Sequence, residues 1–155
     1  AALGAGATLN GAAIAHSGCA APEGAVVLGG RPVMRAEHWP GGVPPLRRVW
    51  RSSLAWRLCL VADGAFDAAL SVRGTWEWDV AAGSLIAAEA GAAVSDSTGR
   101  ALLFNRQPPR HDGVFVAPPA LHATLLAHRL GPAGTGNGGS GQGGSDQGGP
   151  GRGRR

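Results

Sequence analysis

The sequence predicts a layered α/β domain with a mostly parallel or mixed sheet, and three observations carry that prediction. Short apolar segments bounded by glycine or proline, "GAVVLGG" and "GVFVAPP", read as buried strands. Two longer stretches, around Leu54–Ala62 and Asp79–Ala90, carry apolar residues at helical spacing. Along the chain these elements follow the order β, α, β, α, β, β, α, which suits helices covering the faces of a sheet.

Element by element, Asn10-Gly11 between short apolar pieces predicts a tight hairpin, because both residues tolerate positive φ. Gly24 to Gly30 is the first buried strand. The stretch "RPVMRAEHWPGGVPPL" reads as loop with a short helical piece, interrupted by Pro40, Pro44 and Pro45. Ser52 or Ser53 is a fit N-cap for a helix whose apolar positions are Leu54, Leu58, Val61 and Ala62, and Gly64 ends it. "FDAALSV" is a strand, and Thr75 to Asp79 approaches a second helix running to Ala90 and stopped by Gly91. Val80, Leu85, Ile86 and several alanines surround that helix, so both of its sides are expected to pack, with Asp79 held buried at its start. "AAVSDSTGRALLF" reads as a strand, a turn at Ser97-Thr98-Gly99 and a second short strand. The last helix spans Pro119 to Leu130, with proline at a first-turn position.

From Gly131 to Arg155 the sequence is dominated by Gly, with Ser and Gln, and has no large apolar residue. Such a stretch cannot offset its ordering entropy, so a disordered tail is expected after a domain at 1–130. The chain has 155 residues and a formal charge of +4, to which the tail contributes three arginines against one aspartate. The body is only slightly basic and lacks an aromatic-interleaved basic stripe, which argues against a nucleic-acid polymer as partner. No apolar run approaches the roughly 20 residues of a membrane span, and no signal peptide is visible. Cys19 and Cys59 form no CxxC pair, which suits reduced thiols and a cytoplasmic location. The five histidines show neither HxH nor HExxH spacing, and GxSxG and P-loop motifs are absent, which removes zinc, serine-hydrolase and nucleoside-triphosphatase chemistry of those kinds.

Chemistry concentrates in "TWEWDVAAGSLIAAEAG" (75–91). Asp79 at a helix start is, taken alone, an ordinary capping residue. Glu77, Trp76, Trp78 and the alanine-rich helix beside it also suit a carboxylate offered to a hard cation such as Mg²⁺, which prefers oxygen ligands. Thr75 can add a hydroxyl at the same place or simply end a strand. Ser53 can face the site from the first helix or simply cap it, and Arg51 and Arg73 can meet a phosphate or lie on the surface.

The segment "WDVAAGSLIAAEAG" closely resembles the second signature of the inositol monophosphatase superfamily of Mg²⁺-dependent phosphomonoesterases, W-D-x-A-A-G followed by E-A-G. "GAGATLNGAAI", "RSSLAWRLCLVADGAFDAAL" and "GVFVAPPALHATLLAHRL" resemble the family's hairpin, its preceding helix and strand, and its closing strand and helix. The resemblance implies the C-terminal portion of a layered αβαβα sandwich with a mixed sheet. It implies Asp79 as the last metal-binding, and so catalytic, aspartate, with Mg²⁺ as cofactor and a small phosphorylated molecule as substrate. The family's first signature, D-P-x-D-G-T, and its upstream glutamate have no match here and would lie before Ala1. The opening "AALGAGATLNG" lacks Met and is already patterned, so the chain is expected to be a fragment, inactive alone, of a longer phosphatase for which a homodimer is possible.

For the substrate, the family's inositol-binding glutamate falls at Val72. "GTWEWDVAAG", with Thr75 and Glu77, looks more like CysQ-type 3'(2'),5'-bisphosphate nucleotidases, which remove the 3'-phosphate of adenosine 3',5'-bisphosphate in sulfate assimilation. By that resemblance Thr75, Glu77 and Ser53 would bind substrate. The alternatives are an inositol monophosphatase, another small sugar-phosphate phosphatase, or a degenerate domain that binds a partner or an anion without catalysis.

Overall fold

The computed structural model describes residues 1–132; the glycine-rich tail expected from 131 onward therefore lies almost wholly outside the described residues. The chain runs β1 (Thr8–Leu9), β2 (Ala12–Ala13), β3 (Val26–Gly29), β4 (Arg47–Val49), α1 (Leu54–Ala62) and β5 (Ala68–Ser71). It continues with β6 (Thr75–Trp76), α2 (Glu77–Glu89), β7 (Ala93–Ser95), β8 (Arg110–His111), β9 (Val114–Ala117) and α3 (Pro119–Leu130).

Five strands form the central sheet in the order β4-β3-β5-β9-β7. β3 runs parallel to both β4 and β5, whereas β9 is antiparallel to β5 and β7. The sheet is mixed, as the sequence predicts. Side-chain alternation along its strands separates two cores. Leu28, Ala69, Val114 and Val116 face Leu58, Val61 and Val80 of α1 and α2. Val27, Ala68, Leu70, Phe115 and Ala117 face Leu121 and Leu125 of α3, with Trp39 beside them. Each fully buried side chain of this size contributes about 1.5–3 kcal/mol relative to exposure. Helices on both faces of one sheet make an α/β/α sandwich.

Local signals work where they are strong. Asn10 and Gly11 take φ of +52° and +85° and turn β1 antiparallel onto β2. Ser53 caps α1, its Oγ accepting from the Trp56 N–H at 3.3 Å. Pro119 sits in the first turn of α3, which spans the predicted residues.

Elsewhere the structure corrects the expectations. β4 lies at the end of a stretch read as loop and first helix, and is too short to show a period. α2 begins at Glu77, with Trp76 as its cap, so Asp79 lies inside the first turn and is exposed rather than buried. The helix buries one face, through Glu77, Val80, Gly83, Ser84 and Ala87; Trp78, Ala81, Ala82 and Ala88 are exposed. The many alanines around the helix made both sides look suited to packing, yet among the described residues only one side packs. After β7 the chain makes the expected turn, but 101–104 is irregular and the next strand is β8, paired with β6. Asp96 organises that turn, its Oδ1 accepting from the Thr98 N–H at 2.8 Å, the Thr98 hydroxyl at 2.7 Å and the Arg100 N–H at 3.0 Å. Cys19 and Cys59 are free thiols, and no described helix is long and apolar enough to cross a membrane.

Candidate functional site

The strand-helix unit β6–α2 follows β5 after a short turn and carries three acids with three different placements. Glu77 is the first residue of α2, and its own N–H donates to the Pro109 carbonyl at 3.0 Å. Its carboxylate is buried and doubly engaged: the Asn105 N–H donates to Oε2 at 2.8 Å and the Arg106 N–H to Oε1 at 3.0 Å. The Arg106 N–H is the main cause that holds this carboxyl below its usual range, against the opposing effect of burial. Glu77 thus staples the loop at 105–106 to the start of α2. Glu89, at the other end of the helix, accepts from the Gly4 and Gly6 N–H groups at 2.8 Å each and is likewise held low, chiefly by the Gly4 bond.

Asp79 differs from both. It is exposed, and among the described residues its carboxylate receives no hydrogen bond and no ion pair. Its neighbours along the chain are aromatic. Trp76 and Trp78 stack with centroids 4.9 Å apart and planes 7° from parallel, and the Arg110 guanidinium lies 5.5 Å over Trp76. Gly74 makes room for that guanidinium, which a Cβ there would strike.

Thr75 pairs with His111 across β6 and β8, and both are buried. The Thr75 hydroxyl and His111 Nε2 have no hydrogen-bond partner among the described residues. Ser53 stays at the N-cap of α1, where its hydroxyl serves the backbone. The chain therefore brings Thr75, Glu77 and Asp79 together in sequence but sends only Asp79 to the surface.

Helix α2 is fixed against α1 at Gly83, one turn beyond Asp79. A Cβ at Gly83 would stand 2.8 Å from Leu58 Cβ and 3.2 Å from the Ala55 carbonyl. This close approach sets the position of the turn that bears Asp79.

Asp79 is the residue with the chemistry of a cation ligand, an exposed carboxylate in the first turn of a helix. It is one ligand and not a site: among the described residues no group of three or more His, Cys, Asp or Glu converges. These residues by themselves do not fit a complete Mg²⁺ centre, which needs several oxygen donors.

The sequence reading missed a second locality. At the carboxyl ends of β3, β4 and β5 lie two adjoining cavities of about 180 and 450 Å³, sharing Gly30, Pro32, Trp50 and Arg73 as walls. Arg57 reaches the smaller one from α1, Arg31 and Arg48 line the larger, and Ser71 and Val72 complete the wall that leads towards β6. Open α/β sheets place ligands at the carboxyl ends of their strands. The available signal was Arg57 itself, a lone cation on the buried face of an otherwise apolar helix.

Residues 1–131 match the model of the inositol monophosphatase family. The chain is similar to the inositol-1-monophosphatase of Mycobacterium bovis and to inositol-1-monophosphatase SuhB of Mycobacterium tuberculosis. Each is 55% identical over 60 residues, which is 38% of this chain and 20% of the relative. Its fold is similar to inositol monophosphatase II of Staphylococcus aureus, with TM-score 0.69 and 18% identity over 84% of this chain and 50% of that one. A Thermotoga maritima IMPase matches at TM-score 0.68 and 25% identity, again over 84% and 50%. The chain thus spans about half the length of these structures.

Proposed function

Since the chain belongs to the inositol monophosphatase family, we propose that it serves a Mg²⁺-dependent phosphomonoesterase acting on a small phosphorylated substrate, with Asp79 as one of the metal's carboxylate ligands. The observation that carries this reading is the contrast within one helix. Glu77 and Glu89 are consumed by backbone N–H groups, whereas Asp79 is exposed and unclaimed at a fixed position. A bound Mg²⁺ supplies charge neutralisation at the transferring phosphoryl group and acidifies a water. Asp79 contributes a ligand oxygen, the Gly83 contact keeps it in place, and Glu77 orders the loop at 105–106 without itself meeting the substrate. Asp79 is not joined by two further acidic, histidine or cysteine ligands among the described residues, so the metal would need other oxygen donors beside it. The free thiols of Cys19 and Cys59 accord with a reducing cytoplasmic setting.

For the substrate we favour adenosine 3',5'-bisphosphate, hydrolysed to AMP. The support is Val72 in the place of the family's inositol-binding glutamate, together with arginines where a second phosphate could bind. Inositol 1-phosphate is the second reading, supported by the names of the mycobacterial relatives. The test is phosphate release by the full protein from both compounds, with and without Mg²⁺. Asp79→Asn should lower turnover by about 100-fold or more, the cost typical of removing a group that stabilises transition-state charge, with the circular dichroism spectrum unchanged. Full activity in Asp79→Asn would refute the ligand role. Absence of release from either compound in the wild type would favour a non-catalytic binding domain.

A further inference from the structure

The segments that follow β7 enclose a cavity of about 300 Å³. Its walls carry Arg100 from the turn after β7, Arg106 from the loop stapled by Glu77, and Arg110 and His111 from β8. Asp96 and Asp112 line it as well. It shares no lining residue with the cavities at the carboxyl ends of β3, β4 and β5, and Asp79 does not line it. Asp96 is largely spent on its own turn, where Oδ1 accepts from two N–H groups and the Thr98 hydroxyl. That leaves three guanidinium groups against one carboxylate. Among the described residues none of the three lies within ion-pair distance of an acid. Like charges gathered around one hollow repel, and an anion between them removes that repulsion.

A second observation points to the same place. His111 is 4% exposed, and its Nε2 has no hydrogen-bond partner among the described residues. Buried polar atoms are nearly always paired, so an unpaired one in a cavity wall marks a missing partner. The His111 ring meets Phe104 edge-on at 5.3 Å, and the Arg110 guanidinium lies over Trp76, so both are placed before any ligand arrives.

We propose that this cavity binds a small tetrahedral oxyanion, phosphate or sulfate, free or as the head of a phosphorylated metabolite, and that the anion clamps the turn at 96–100 onto the loop at 105–111. Guanidinium forks match the geometry of such anions. The three arginines come from three separate segments, so one dianion touching them ties those segments together. The segments already meet through the Ser97 N–H, which donates to the Asp112 carbonyl at 3.1 Å. The clamp reaches the first turn of α2 because Glu77 joins that turn to Asn105 and Arg106. This is a site for an effector rather than for the group that is hydrolysed, and it does not depend on the phosphatase reading.

The test follows backbone amide NMR shifts of the full protein, with divalent cations chelated, during titration with inorganic phosphate, glycerol 3-phosphate or, at equal ionic strength, chloride. Phosphate should shift the amides of Arg100, Arg106 and His111 saturably, and hydrogen exchange at Ser97 should slow. Tighter binding of glycerol 3-phosphate assigns the head of an ester, and binding of inorganic phosphate alone assigns the free oxyanion. Arg106→Gln and Arg100→Gln alter exposed side chains and should keep the fold. Each should weaken phosphate binding by about tenfold, the lower end for a hydrogen bond to a charged group. Three results overturn the proposal: shifts centred on Gly30 and Arg57, a response that chloride reproduces, or affinity unchanged in both variants. No turnover is read, so failure here leaves the phosphatase reading standing, and full activity in Asp79→Asn leaves this site standing.

Discussion

Replacing Gly83 by alanine tests whether the α1–α2 contact sets the position of Asp79. An added Cβ would stand 2.8 Å from Leu58 Cβ and 2.9 Å from Leu58 Cδ1. Carbon atoms prefer about 3.5–4.0 Å, so the helices must part by roughly 0.7–1.2 Å or Leu58 must shift. Leu58 is fully buried among Val61, Val80 and Val114, so it has little space to yield. Overpacking of this kind costs about 1–3 kcal/mol. Alanine recovers about 1 kcal/mol of helix propensity relative to glycine. The net expectation is a loss of about 0–2 kcal/mol, read as a lower urea midpoint. Function should suffer more than stability, because Asp79 lies one turn from the contact. A displacement of about 1 Å in a catalytic group can lower turnover by about 100-fold. The reasoning fails if Gly83→Ala is stabilised by the full propensity gain and releases phosphate at the wild-type rate.

Two further outcomes follow from local structure. Ser53→Ala removes the cap of α1 and should cost about 1 kcal/mol, whereas Ser53→Gly should cost only a few tenths, since glycine suits both the cap and the φ of +55° found there; equal losses in urea unfolding would show that the hydroxyl does not cap. His122 is buried, with its Nε2 2.9 Å from the Ser95 hydroxyl, and burial holds its pKa below the usual value. The unfolded chain therefore binds a proton that the folded chain refuses, so stability should decline as pH falls below about 6.5. Glu77, Glu89 and Asp96 have lowered pKa values, so their contributions persist above the ordinary carboxylate range and vanish only in more acidic solution. Urea midpoints from pH 8 to 3 should thus fall in two steps, with the first removed by His122→Asn; a flat profile between pH 8 and 5 would contradict the neutral buried histidine.

The sequence determined by itself what is written in neighbouring residues. Asn10-Gly11 specifies its hairpin through the positive φ both residues accept. Ser53 starts α1 through a hydrogen bond three residues long, and Pro119 marks the first turn of α3. The signature around Asp79 was legible because its residues are contiguous, and so was the existence of α2. Tertiary structure decided the rest. Strands β4, β6 and β8 have three, two and two residues, too few to carry a period, and exist because partners arrive from elsewhere in the chain. Glu77 and Asp79 look alike in sequence. One is buried and stapled to Asn105 and Arg106, and the other is free, because a loop nearly thirty residues away folds back onto only one of them. Arg31, Arg48 and Arg73 line one cavity because β3, β4 and β5 lie parallel and end together, and Arg57 reaches the adjoining one from α1. Turns and caps depend on bonds between a side chain and its own backbone, so sequence suffices for them. A charged pocket depends on which distant strand ends coincide, and that is fixed by the packing of the whole sheet.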